Sequence, residues 1–226
     1  MNRIIQPIEW ELQQAHPYTT NDIRKISAKH FRQLETTSKK EVFALCEAML
    51  QTQRWPLKVI AFDWAYRVRN QYTLDTFDTF EHWLCSYIRD WSDCDDFCTH
   101  AFGELMVRYP ELLINVMDWC DHEHFAIRRA APVVLIVPIK RKTTGSFSPF
   151  DVCEALLDDP HYLVQKGFGW MLKVYSTIDR EKVYDYLKNQ GHRMQRIALR
   201  YAIEKLPSAD KKYLMHTSKA MKVDLP

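Results

Sequence analysis

The sequence predicts an all-α protein built from stacked helix pairs, and three observations predict it. Apolar residues recur at helical spacing along almost the whole chain. Glycine is scarce, with 5 among 226 residues. The paired turn signals that would separate short strands are equally scarce, which argues against a β-sandwich or barrel.

The elements follow in order. Val42, Leu45, Cys46, Met49 and Leu50 form one apolar stripe, and Val59, Ile60, Phe62, Trp64 and Tyr66 lie on the next segment. Phe77, Phe80, Trp83, Leu84, Tyr87 and Ile88 continue the pattern, followed by Phe97, Ala101, Leu105 and Met106. Later stripes cover residues 133–137, 152–157, 163–175 and 197–206. The breaks carry helix-start punctuation: Thr20-Asn21-Asp22, Thr37-Ser38, Ser148-Pro149, Asp159-Pro160 and Pro207-Ser208, with Pro56 and Pro110 opening two more. A capping oxygen or an early proline suits the first turn of a helix. Starts near residues 21, 39, 56, 75, 93, 110, 124, 149, 160, 179, 192 and 207 make two-helix units of roughly 30–40 residues. That is the range of HEAT-like helical-repeat solenoids, whose stacked pairs form an extended concave face. Self-similarity is weak, so the periodicity also fits a globular helical bundle. The basic stretch from Lys140 to Ser146 reads as a surface connection.

Composition narrows the class. The chain is 46% hydrophobic and 27% charged, an ordinary globular balance; one domain over residues 1–226 is expected. No apolar run approaches the ~20 residues that span a bilayer, and the N-terminal residues lack a secretory pattern. Six scattered cysteines read as reduced thiols, so a cytoplasmic monomer without a membrane partner is expected. Net charge is only +2, but it is unevenly distributed. From Arg128 onward there are 18 basic and 10 acidic residues; before it there are 13 and 19. Such polarity offers a basic surface to a polyanion, although solvated helix faces also drift in charge.

Four segments carry a family resemblance. Trp91-Ser-Asp-Cys-Asp95 is a Trp-x-x-x-Asp segment, Ala126-Ile-Arg-Arg129-Ala-Ala contains Arg-Ala-Ala, and Gln165-Lys-Gly-Phe-Gly-Trp170 is a Gln-Lys-x-x-Gly-Trp segment. Gln195-Arg-Ile-Ala-Leu-Arg-Tyr closes the set. In this order they resemble the AlkD-like DNA alkylation repair family, HEAT-like-repeat glycosylases that act on alkylated purines, over about residues 20–206. The resemblance places Asp95, Trp91 and Trp170 at catalytic positions. It places Arg129 at a DNA-binding position, and Arg128, Lys166, Lys173, Arg196 and Arg200 stand beside it as candidate DNA-binding residues. It implies double-stranded alkylated or distorted DNA as partner, no metal or organic cofactor, and excision without full flipping of the base.

The chemistry suits these residue types. Cleaving the glycosidic bond of a cationic N3- or N7-alkylpurine leaves positive charge on the deoxyribose, which a carboxylate such as Asp95 stabilises while positioning water. An indole face attracts the same cation, and an arginine holds a neighbouring phosphate. Trp91 and Asp95 are spaced i,i+4 and share a helix face, as do Lys166 and Trp170. Each also has a plainer role: tryptophan as core, Asp95 as a first-turn dipole partner, and one of the adjacent Arg128 and Arg129 as an ion-paired surface group. Gly167 and Gly169 inside a helix suggest close helix packing. Cys94, Cys98 and His100, or Cys120, His122 and His124, lack zinc-site spacing.

Only 17 residues precede the Tyr18-Thr-Thr-Asn-Asp-Ile-Arg24 segment. The aromatic that the resemblance implies from the preceding region has no match there, with Trp10 and Tyr18 standing as substitutes. A shortened N-terminal wall favours a non-catalytic relative that binds damaged or branched DNA; retained Asp95 favours the enzyme. A protein-binding helical scaffold is the third reading.

Overall fold

The computed structural model describes the backbone of residues 2–223 and the side chains of residues 3–218. Within that span the chain is helical and no strand occurs. None of the described helices is long and apolar enough to cross a membrane. By packing, the chain falls into two compact units, Met1–Leu105 and Met106–Pro226.

The first unit contains α1 (Asn2–Gln14), α2 (Thr20–Phe31), α3 (Lys39–Gln51), α4 (Trp55–Arg67), α5 (Thr76–Tyr87) and α6 (Trp91–Thr99). The start of α7 (Ala101–Arg108) completes it. Thr19 begins α2 through a full capping box with Asp22, and Ser38 caps α3 by accepting from Glu41 N. Such caps satisfy amides that lack intrahelical partners. α3 packs on α4, α2 on α4, and α4 on α6. Between them lies an aromatic core: Phe62 stacks on Phe97 at 4.7 Å, and Phe80 meets Phe97 edge-on at 5.1 Å. One buried ion pair crosses this unit, Lys58 Nζ donating to Asp93 at 2.8 Å and to the Tyr87 carbonyl at 2.8 Å.

α1 corrects the sequence reading, which places no helix before residue 21. It carries Pro7 within its length but buries Ile8 and Leu12. Glu11 ties it to α2 by pairing with Lys29 (2.8 Å) and His30 (2.9 Å). Glu9 joins Arg54 just ahead of α4.

The second unit opens with a 3-10 run, Pro110–Asp121, where apolar spacing predicts an α-helix. It continues with α8 (Phe125–Val134), α9 (Ile136–Arg141), α10 (Pro149–Ala155), α11 (Tyr162–Tyr175), α12 (Arg180–Gln190), α13 (Arg196–Ala202) and α14 (Ser208–Val223). α11 packs against both α8 and α13. α8 and α11 start alike: His124 Nδ1 accepts from Ala126 N, and His161 Nδ1 from Leu163 N. Phe125 stacks flat on His161 at 4.1 Å. His122 and His124 thus cap the start of α8, His122 Nδ1 accepting from His124 N at 3.0 Å. The expected connection after Lys140 turns through left-handed backbone at Lys142 (φ 58°) and Gly145 (φ 57°).

Candidate functional site

Two helix starts build a pocket in the first unit. Asp90 caps α6, its Oδ1 accepting from Trp91 N at 2.6 Å and its carbonyl from Cys94 N at 3.1 Å. That fixes Trp91 in the first helical position, 47% exposed. Asp95 follows four residues later and is half-buried. α4 begins with Trp55, 40% exposed and followed by Pro56, whose fixed φ suits a first turn. Trp55, Trp91, Asp95 and Asp96 line one pocket of about 220 Å³, over a floor that includes Val59 and Phe62.

Two of the pocket's carboxylates have basic partners. Asp93, also in the lining, is the partner of Lys58, and burial pushes its carboxyl above the ordinary value. Asp96 takes Arg24 Nη2 at 2.5 Å and faces His100 Nδ1 at 3.2 Å. The hydrogen bond to Asp96 raises the His100 pKa, outweighing the opposing effect of burial. Asp93, Asp95 and Asp96 give the lining three acidic groups, with no basic side chain among its described residues. The basic partners of Asp93 and Asp96, Lys58 and Arg24, lie outside that lining.

Trp91 and Asp95, paired by spacing in the sequence, thus share a pocket. Sequence reasoning finds Trp55 only as part of a helix break; the Trp-Pro pair at a helix start is the available signal. Of the two N-terminal aromatics, Trp10 projects from α1 with 65% exposure. Tyr18 stacks on Trp55 with ring centroids 6.2 Å apart.

The remaining candidates lie in the second unit. Trp170 is half-buried on α11. Arg129 is 5% exposed and donates to the Leu163 carbonyl, so it ties α8 to the start of α11. Arg128 is the ion-paired neighbour, with Nε 2.5 Å from Asp159 and Nη1 2.8 Å from the carbonyls of His122 and Glu123. Lys166 lies over Tyr162 at 5.3 Å, and Lys173 over Tyr201 at 5.7 Å while pairing with Glu204 at 3.0 Å. Arg196 and Arg200, four residues apart on α13, are exposed.

The Gln-Lys-x-x-Gly-Trp segment is largely structural. Buried Gln165 donates Nε2 to the carbonyls of Leu156, Leu157 and Asp159. A Cβ on Gly169 would sit 2.6 Å from the Ala198 carbonyl and 2.8 Å from Tyr201 Cβ. One on Gly167 would meet Arg129 Cγ at 3.2 Å.

A family model described as DNA alkylation repair enzyme matches residues 11–206. The chain belongs to the DNA alkylation repair family. A solved structure described as a predicted DNA alkylation repair enzyme from Enterococcus faecalis shares the helical fold, with a TM-score of 0.71. That similarity covers 84% of this chain and 87% of the other at 18% identity. No curated protein matches. Family membership supports a role in DNA repair, and the family match runs through both compact units.

Proposed function

We propose that this family member is a DNA glycosylase excising cationic N3- and N7-alkylpurines from duplex DNA, without fully flipping the base. One observation carries the proposal: Trp91 and Asp95 line the same small, acidic pocket. As the glycosidic bond stretches, positive charge develops on the deoxyribose. The Asp95 carboxylate stabilises that charge and orients water toward the anomeric carbon, and the Trp91 ring contributes its negative face. No cofactor enters this scheme. Trp170 keeps the catalytic role that the family resemblance assigns to it.

DNA contact is assigned to the second unit, where Arg196 and Arg200 are exposed and Lys166 is half-exposed. Lys173 joins them beside Tyr201, while Arg128 and Arg129 support that basic region through their bonds to Asp159 and Leu163. Basic groups of this kind neutralise phosphates and fix the protein's position on the duplex.

The test is incubation with methylated duplex DNA and chromatography of the freed bases. Release of 3-methyladenine and 7-methylguanine supports the proposal. Tight, salt-sensitive binding with no release overturns the enzymatic part and leaves a DNA-binding relative. Salt-insensitive binding to peptides alone would mark a protein scaffold.

A further inference from the structure

Trp55 completes the pocket from a helix start far from Trp91 in sequence. Both tryptophans stand in the first position of their helices, α4 and α6, and both border the same 220 Å³ space. Neither is used as core: each keeps 40% or more of its surface exposed, whereas Trp64 and Trp83 in the same unit are fully buried. Trp55 is also braced. Tyr18 stacks against it with an interplanar angle of 26°, and His16 meets Tyr18 edge-on at 5.4 Å. Two residues before it, Gln53 turns through left-handed backbone (φ 56°), a conformation uncommon for a side chain of this kind.

Two open indoles bordering an acidic pocket form a receptor for a compact cation. An aromatic face attracts positive charge through its quadrupole, more strongly where water is excluded. The starts of α4 and α6 oppose this, since each helix N-terminus carries roughly half a positive charge. The lining holds three carboxylates, of which Asp93 is engaged by Lys58 and Asp96 by Arg24, so selectivity for charge falls to the two indole faces. The arrangement favours a charged group over a neutral one of the same shape.

We infer that Trp55, held by Tyr18, is a second aromatic wall of the lesion pocket and works with Trp91 to recognise the cationic sugar formed as the glycosidic bond breaks. This rests on the glycosylase reading, which supplies the cation, but it concerns a residue that the family resemblance did not assign. Trp55 stabilises charge; it neither donates a proton nor activates water.

The test separates recognition from chemistry by using duplexes that cannot react. One carries a pyrrolidine abasic analogue, positively charged at the sugar; the other carries the neutral tetrahydrofuran analogue. Affinities of wild type, Trp55→Ala and Trp55→Phe are measured for both, with thermal unfolding as a folding control. Wild type should prefer the charged duplex. Trp55→Ala should reduce that preference roughly 2- to 30-fold, the range of one cation–π contact, while Trp55→Phe retains part of it. Tetrahydrofuran affinity should change little. An unchanged preference in a folded Trp55→Ala protein overturns the inference, as does equal weakening for both duplexes. If methylated bases are not released but the Trp55-dependent preference is present, only the glycosylase reading falls. If release occurs and the preference does not depend on Trp55, only this inference falls.

Discussion

At the residue scale, the pocket divides its work among carboxylates that look alike in the sequence. Asp90 caps α6, Asp93 neutralises Lys58, Asp96 holds Arg24 and His100, and Asp95 lines the pocket one turn beyond Trp91. The Trp91–Asp95 pairing is legible because four-residue spacing on a helix fixes a shared face. Trp55 is not, because its partner Trp91 lies 36 residues away in sequence and only tertiary packing brings both to one space. The His100–Asp96 contact also makes a pH-dependent prediction. The folded-state pKa of His100 is raised, so its stabilising contribution is complete below the ordinary imidazole value of about 6.5 and is lost as pH rises through the raised value. Chemical denaturation across a pH series should therefore show His100→Gln destabilised relative to wild type in acid, with the gap closing in alkali. A constant gap at every pH would remove the charged pair from the account.

At the element scale, the most specific motif in the sequence proves mainly architectural. Gln165 shares its two amide N–H donors among three carbonyls where the chain leaves α10 for α11, and Gly169 lets α11 approach α13 to backbone contact. Glycines inside a helix signal close packing, but the three-carbonyl role of Gln165 depends on a loop whose path the sequence does not specify. Gly169→Ala should lower stability by about 1–3 kcal/mol, the usual cost of forcing atoms into a packed interface. Thermal unfolding checks it, and an unaltered midpoint would contradict the close approach. Gly167→Ala should cost less, because it meets the Arg129 side chain rather than backbone.

Two other elements show where sequence pattern stops being informative. α1 escapes notice because it contains Pro7, although its Ile8 and Leu12 are spaced for one face. The Pro110–Asp121 run reads as an α-helix because i,i+3 spacing serves a 3-10 helix as well. The cap at His124 is unreadable for a different reason: histidine at a helix start has no strong capping signature, unlike Ser, Thr or Asp.

At the scale of the whole molecule, the helical fold is legible from periodicity and glycine scarcity, while the division into two compact units is not. The charge asymmetry along the chain persists between those units, with 19 basic and 14 acidic residues in the second against 12 and 15 in the first. DNA affinity should therefore fall steeply with salt. Replacing Arg196 and Arg200 with Gln should make the slope of log affinity against log salt shallower, by about one for each phosphate no longer neutralised. A slope identical to wild type would place the duplex elsewhere.

If the acidic, tryptophan-lined pocket performs alkylpurine excision, single-turnover base release by Asp95→Asn will show it. The measurement uses methylated duplex at saturating protein, with affinity for unreactive duplex determined in parallel. The expected result is a fall in release rate of roughly 10²–10⁴-fold with affinity nearly unchanged, since the substitution preserves shape and removes the charge. Release at the wild-type rate by the Asn variant would contradict the account, because the carboxylate in the pocket would then have no part in breaking the bond.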